Sequence, residues 1–82
     1  MSIQVASYRH ESNGRSAHLF WHGGQKFEVL HTHADGRSNG RDSGDRDFAM
    51  IALHSWAEMV HEKKGEFTRK DEIALRDIGI TI

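Results

Sequence analysis

The segment from Asp45 to Lys64, DRDFAMIALHSWAEMVHEKK, decides the architecture of this chain because it is the longest segment with helical periodicity. Its apolar residues recur at steps of three and four, as in a helix that buries one side, and they are Phe48, Ala49, Ala52, Leu53, Trp56, Met59 and Val60. Ser43 or Asp45 can cap the first N–H groups, and Gly65 follows where a helix commonly closes. Such a helix would be about 30 Å long, so the rest of the chain must pack on it.

Three short segments before this helix predict strands. Residues 2–8 alternate in polarity, residues 17–22 and 26–34 follow, and Asn13-Gly14 and Gly23-Gly24 supply turn signals between them. Two short turns in succession predict an antiparallel meander. The floor under the helix would consist of Ile3, Val5, Leu19, Trp21, Phe27 and Val29, and the outer face would carry Tyr8, His18, Phe20 and His22.

The segments on either side of the long helix complete the predicted fold. Residues 35–44, DGRSNGRDSG, contain no apolar side chain and are interpreted as a mobile loop. Thr68 and Asp71 approach a capping-box pattern and predict a short helix over 69–78. We therefore predict a single α+β domain over residues 1–82: a three-stranded antiparallel β-meander packed on one long helix, followed by a short C-terminal helix (β-β-β-α-α).

The amino-acid composition limits the classes of function that the chain can have. The 82 residues carry 11 Lys+Arg and 12 Asp+Glu, and this balance weighs against nucleic-acid binding through bulk charge. The chain has no Cys, which excludes a disulfide scaffold and a thiolate metal site. Neither a signal peptide nor a run of about 18 apolar residues is present, so we expect a cytoplasmic protein with no membrane contact.

A histidine-rich strand end raises the question of a metal site. His31, His33 and Asp35 occupy alternate positions, so on a strand they would project to one side with side chains that suit zinc. The sequence identifies no further ligand for them, and we interpret them as the polar end of a strand. No metal or other cofactor is therefore expected.

No catalytic constellation stands out. The chain has no GxSxG elbow and no Cys nucleophile, and the Gly-rich segment lacks a Walker lysine. His54, Glu58 and His61 fall on the polar side of the long helix and are interpreted as a solvated face. We expect a protein that is not an enzyme.

Two stretches carry a resemblance to a known class. Asn13-Gly14-Arg15-Ser16 lies at a predicted hairpin, and in residues 40–56 Arg46-Asp47-Phe48 opens a helix that carries Ser55-Trp56. In these stretches and in its element order, the chain resembles small phage-encoded inhibitors of the anti-CRISPR type. The resemblance implies a rigid domain, acting in the host cytoplasm, that occludes a surface of a CRISPR effector complex without catalysis.

The charged turns are the predicted contact residues. Mixed charges suit a protein partner, and the predicted binding residues are Arg9, His10, Glu11, Arg15, Arg37, Arg41, Asp42 and Asp45. The alternative is a small nucleic-acid-binding accessory protein that uses the sheet face and the loop arginines. An exposed edge strand would permit strand pairing, so both a monomer and a homodimer remain open.

Overall fold

A computed structural model describes residues 3–62 and 65–69, the last four of them by their backbone alone. The elements, in chain order, are β1 (Ile3–His10), β2 (Ser16–Trp21), β3 (Phe27–Thr32), β4 (Ser38–Gly44), α1 (Arg46–His61) and β5 (Gly65–Arg69). The strands form one sheet in the order β4-β3-β2-β1-β5, and every neighbouring pair is antiparallel. The helix joins the two edge strands of this sheet.

The predicted β-β-β-α-α order is wrong, although the α+β class fits. The three predicted strands and the long helix are present, but residues 38–44 form β4 instead of a mobile loop. Arg69, the predicted first residue of the short C-terminal helix, ends β5, and residues 70–78 lie outside the described part of the chain. The order over the described residues is therefore β-β-β-β-α-β.

The helix begins where a cap is available. The Asp45 carboxylate accepts a hydrogen bond from the Phe48 backbone N–H at 3.1 Å, so Asp45, one of the two predicted caps, is confirmed. Gly65 does not close the helix, because it already pairs with His10 as the first residue of β5. A Cβ atom at Gly65 would collide with the Arg9 carbonyl oxygen and the Tyr8 ring. This close approach explains why position 65 is a glycine.

The core lies between α1 and one face of the sheet. The predicted floor is confirmed: Val5, Leu19, Phe27 and Val29 are buried, while Ile3 and Trp21 pack against them in part. Ala6, Tyr8 and Ala17 belong to the same core, and Ala49, Leu53 and Trp56 contribute to it from the helix. This burial of apolar surface is the main force that holds helix and sheet together.

Tyr8 faces the core, so its predicted place on the outer sheet face is wrong. The β1–β2 register shifts between Gln4 and Ala6, which leaves Val5 as an extra residue in β1. A bulge of this kind inverts the alternation of the residues that follow. Tyr8 is consequently 1% exposed and stacks on Trp56, with 6.1 Å between ring centroids.

β4 is a strand held by its backbone. It pairs with β3 from Gly44 opposite Phe27 to Ser38 opposite Thr32, and the register shift near Thr32 leaves Asn39 as the extra residue. Its side chains are exposed from Ser38 to Ser43, and none of them is apolar. β4 therefore adds an open edge to the sheet without adding to the core.

Among the elements that the structure describes, α1 leaves one corner of the sheet uncovered. α1 starts beside β4 at one edge and must reach β5 at the other, so it crosses the sheet toward β1 and β5. The ends of β3 and β4 near the turn that joins them are consequently not covered by α1.

Within the described ranges, no helix is long and apolar enough to cross a membrane.

Candidate protein-binding surface

An apolar groove lies at the uncovered corner, between α1 and the β3–β4 pair. Its volume is about 260 Å³, and it is lined by Val29, His31, Asp42, Phe48, Ile51, Ala52, Ser55 and Trp56. Ligand pockets for small molecules usually measure about 300–1,000 Å³ and enclose their ligand. This open groove is smaller, and its size fits one or two side chains of a macromolecular partner.

His31 and Asp42 form the polar rim of the groove. His31 Nε2 lies 2.9 Å from Asp42 Oδ2, a hydrogen bond between neighbouring strands. Their register partners are Gly40 and Val29 respectively, so the contact runs diagonally across the β3–β4 pair. Both side chains are well exposed, at 42% and 66%, and such pairs add at most about 1 kcal/mol to stability.

A second, open hollow lies along the helix itself. It is lined by Asp47, Met50, Ile51, His54, Ser55 and Glu58. Ile51 and Ser55 line both the hollow and the groove, so the two depressions lie side by side and are separated by these residues. We call the residues lining either depression the Ile51 surface.

Ile51 is the most unusual residue of this surface. Its side chain is 71% exposed, and among the described residues the only other exposed large apolar side chain is Val60 at 37%. A single exposed aliphatic residue is common on protein surfaces. Here it stands between two depressions that contain further apolar side chains, so a partner could bury it together with them.

The charged residues of the Ile51 surface are all acidic. Asp42 stands at the rim of the groove, and Asp47 and Glu58 stand in the hollow, whereas neither depression is lined by a described Lys or Arg. The described lining therefore has a formal negative charge around an apolar centre.

The predicted contact residues fall into two regions. Arg9 and His10 end β1, and Glu11 and Arg15 lie in the turn before β2. This turn touches the β3–β4 turn, since a Cβ atom on Gly14 would lie 3.1 Å from the Ala34 Cβ atom. Arg37 in that second turn pairs with Asp35 at 2.7 Å, so five of the predicted residues share one end of the sheet, the turn end.

The remaining three predicted residues lie in or next to β4 and have different environments. Arg41 lies on the sheet face away from α1 and reaches Glu28 at 3.6 Å. Asp42 belongs to the groove rim, and Asp45 caps α1. The structure therefore does not bring all eight predicted contact residues into one site.

The His31, His33 and Asp35 pattern does not form a metal site in the described part of the chain. No three His, Asp or Glu side chains there come close enough to hold an ion. His31 is instead directed to Asp42, and Asp35 to Arg37.

The outer sheet face, on which the nucleic-acid alternative depends, has fewer stacking groups than predicted. Tyr8 is buried on the other side, which leaves His18, Phe20 and His22, and His18 lies 3.2 Å from the Gln4 amide. Arg41 and His22 both approach the Glu28 carboxylate on this side, at 3.6 and 3.7 Å.

Sequence reasoning missed the groove, but the pattern contains a signal for Ile51. Met50 and Ile51 are the large apolar side chains of α1 that fall outside the apolar stripe predicted for the helix, and Ile51 is the exposed one of the two. Comparisons with protein-family models, with characterised proteins and with solved structures find no match for this chain.

Proposed function

We propose that this protein is a non-enzymatic binding domain that docks on a protein partner through the Ile51 surface. The observation that carries the proposal is the 71% exposure of Ile51 between two apolar depressions. Burying such a side chain in an interface contributes about 1.5–3 kcal/mol, which gives the surface a central contact of the kind that dominates protein interfaces.

The arrangement of polar groups supports binding over catalysis. Ser55, His31 and Asp42 line one groove and have the composition of a hydrolase triad. In such a triad the carboxylate is buried and orients the histidine, whereas the Asp42 side chain is 66% exposed. An exposed His–Asp pair is open to water and is not held in a fixed geometry. A catalytic triad needs both the exclusion of water and the fixed geometry to accelerate its reaction.

The identity of the partner comes from the resemblance to anti-CRISPR-type inhibitors, which the comparisons leave untested. On this hypothesis the protein occludes a subunit of a CRISPR effector complex in the cytoplasm of the host cell. A small domain with one apolar contact centre and a surrounding polar rim suits such occlusion. A nucleic-acid-binding accessory protein remains the alternative hypothesis.

Capture of CRISPR effector subunits tests the proposal. The tagged protein is incubated with lysate from a bacterium that carries CRISPR effectors, with and without nuclease, beside the variants Ile51→Lys and Val60→Lys. Val60 is the matched control because it is an exposed aliphatic residue of the same helix that lines neither depression.

We expect stoichiometric capture of an effector subunit that survives nuclease, is lost with Ile51→Lys and is kept with Val60→Lys. Capture that Ile51→Lys leaves unchanged would place the interface elsewhere on the molecule. Recovery of nucleic acid alone, lost as salt is raised, would support the nucleic-acid hypothesis instead.

A further inference from the structure

We infer that the segment docking on the Ile51 surface is a basic amphipathic helix of the partner. The inference rests on the proposed function and adds the chemistry of the partner to it. A helix that lies in a groove and presents apolar residues on one side is a recurrent mode of protein recognition.

Charge complementarity selects a basic segment. Asp42, Asp47 and Glu58 surround the apolar centre, and within the described chain no Lys or Arg lines either depression to offset them. An acidic partner would bring like charges together on burial, whereas Lys or Arg side chains would pair with these carboxylates.

The spacing of the carboxylates sets the length of the inferred helix at about three turns. Asp47 and Glu58 lie near opposite ends of α1, and at about 1.5 Å per residue they are about 16 Å apart along its axis. A partner helix running along the hollow would present cations at the same separation. Ile51 and Ser55 lie between them, where the apolar side of that helix would make contact.

The size of the groove limits what its apolar residues can be. A volume of about 260 Å³ receives a side chain such as Leu or Phe, and Val29 and Trp56 provide an apolar floor. The occupant we infer is therefore a helix with large apolar residues on one side and Lys or Arg flanking them.

Three synthetic peptides test this inference. They share one leucine pattern at helical spacing and differ only in the flanking residue, which is lysine, glutamine or glutamate. Each is titrated into the isotope-labelled full chain, and amide chemical shifts report both the affinity and the place of binding.

We expect the lysine peptide to bind most tightly and to move the signals of Asp47, Ile51, Ser55 and Glu58. The double variant Asp47→Asn/Glu58→Gln should weaken it about tenfold. The matched control Glu28→Gln/Glu62→Gln removes the same charge from two residues that line neither depression and should leave the affinity unchanged.

Each other outcome has a separate meaning. Equal binding of all three peptides at the Ile51 surface would overturn the basic partner but leave the surface as a docking site. Binding of the lysine peptide elsewhere, or nowhere, would also overturn the inference. The proposed function itself falls only if capture of the effector subunit is insensitive to Ile51→Lys.

Discussion

At the scale of single residues, Leu53 is the fully buried aliphatic side chain through which α1 packs on the sheet. Leu53→Ala should lower the free energy of unfolding by about 2–5 kcal/mol, because it removes buried methyl groups and leaves a cavity. Urea denaturation followed by tryptophan fluorescence measures this loss. Ile51→Ala on the same helix is the control and should change stability by less than about 0.5 kcal/mol. Similar losses in the two variants would contradict the assigned burial of the helix faces.

Tyr8 shows where residue-level reasoning stops. Strict alternation along β1 assigns Tyr8 to the outer face, and the extra residue Val5 reverses that assignment. A bulge depends on the pairing of β1 with β2, so the local sequence of β1 does not predict it. Asp42 was identified from sequence as a contact residue, but its hydrogen bond to His31 depends on β3–β4 pairing and was not predicted.

At the scale of elements, the start of α1 depends on one side chain. Sequence offered Ser43 and Asp45 as caps, and the structure places Asp45 in that position. Asp45→Ala should therefore destabilise the protein by about 0.5–2 kcal/mol, as measured by thermal unfolding. Ser43→Ala should have little effect, because Ser43 is an exposed residue of β4. A larger loss from Ser43→Ala would show that the helix begins differently.

Two hairpin turns at opposite ends of the sheet, the β1–β2 turn at the turn end and the β2–β3 turn, give a second test at this scale. Gly14 and Gly24 both have a positive φ, at 70° and 55°, and alanine at either position should cost about 1–2 kcal/mol. Gly14→Ala should cost more, because its methyl group would lie 3.1 Å from the Ala34 Cβ atom, whereas Gly24 faces open space. Parallel urea denaturation of both variants measures the difference. Equal losses of unfolding free energy would mean that the β1–β2 turn does not pack against Ala34 in the β3–β4 turn.

The elements differ in how far sequence predicts them. α1 and the first three strands have apolar residues at the period of their structure, and the sequence therefore predicts these four elements correctly. β4 has none, since SNGRDSG has the composition of a loop, and only its pairing with β3 makes it a strand. The Ile51 surface was missed for a related reason. It arises from the path of α1 across the sheet, which no local pattern encodes.

At the scale of the whole molecule, the turn end and the Ile51 surface are two regions of one domain. Reversing Arg15 and Arg37 to Glu should leave the fold intact, because both residues are exposed. The reversal should speed association with the basic segment inferred for the partner, because it makes the domain more negative and charges outside the contact centre act mainly on the association rate. Surface-immobilised binding kinetics at low and high salt measure this effect. An unchanged association rate at low salt would show that the turn end does not act on association.

The exposed edge strand β4 also makes the chain a potential scaffold for binder engineering. Main-chain hydrogen bonds to β3 hold it, and the side chains of Ser38, Asn39, Arg41 and Ser43 point into solvent without contributing to the core. These four codons can therefore be randomised in a display library at little cost in stability, with Gly40 and Asp42 kept fixed. Such a library would vary side chains at the β4 edge, with Arg41 and Ser43 on the sheet face away from α1, and selection from it could redirect the domain to new targets.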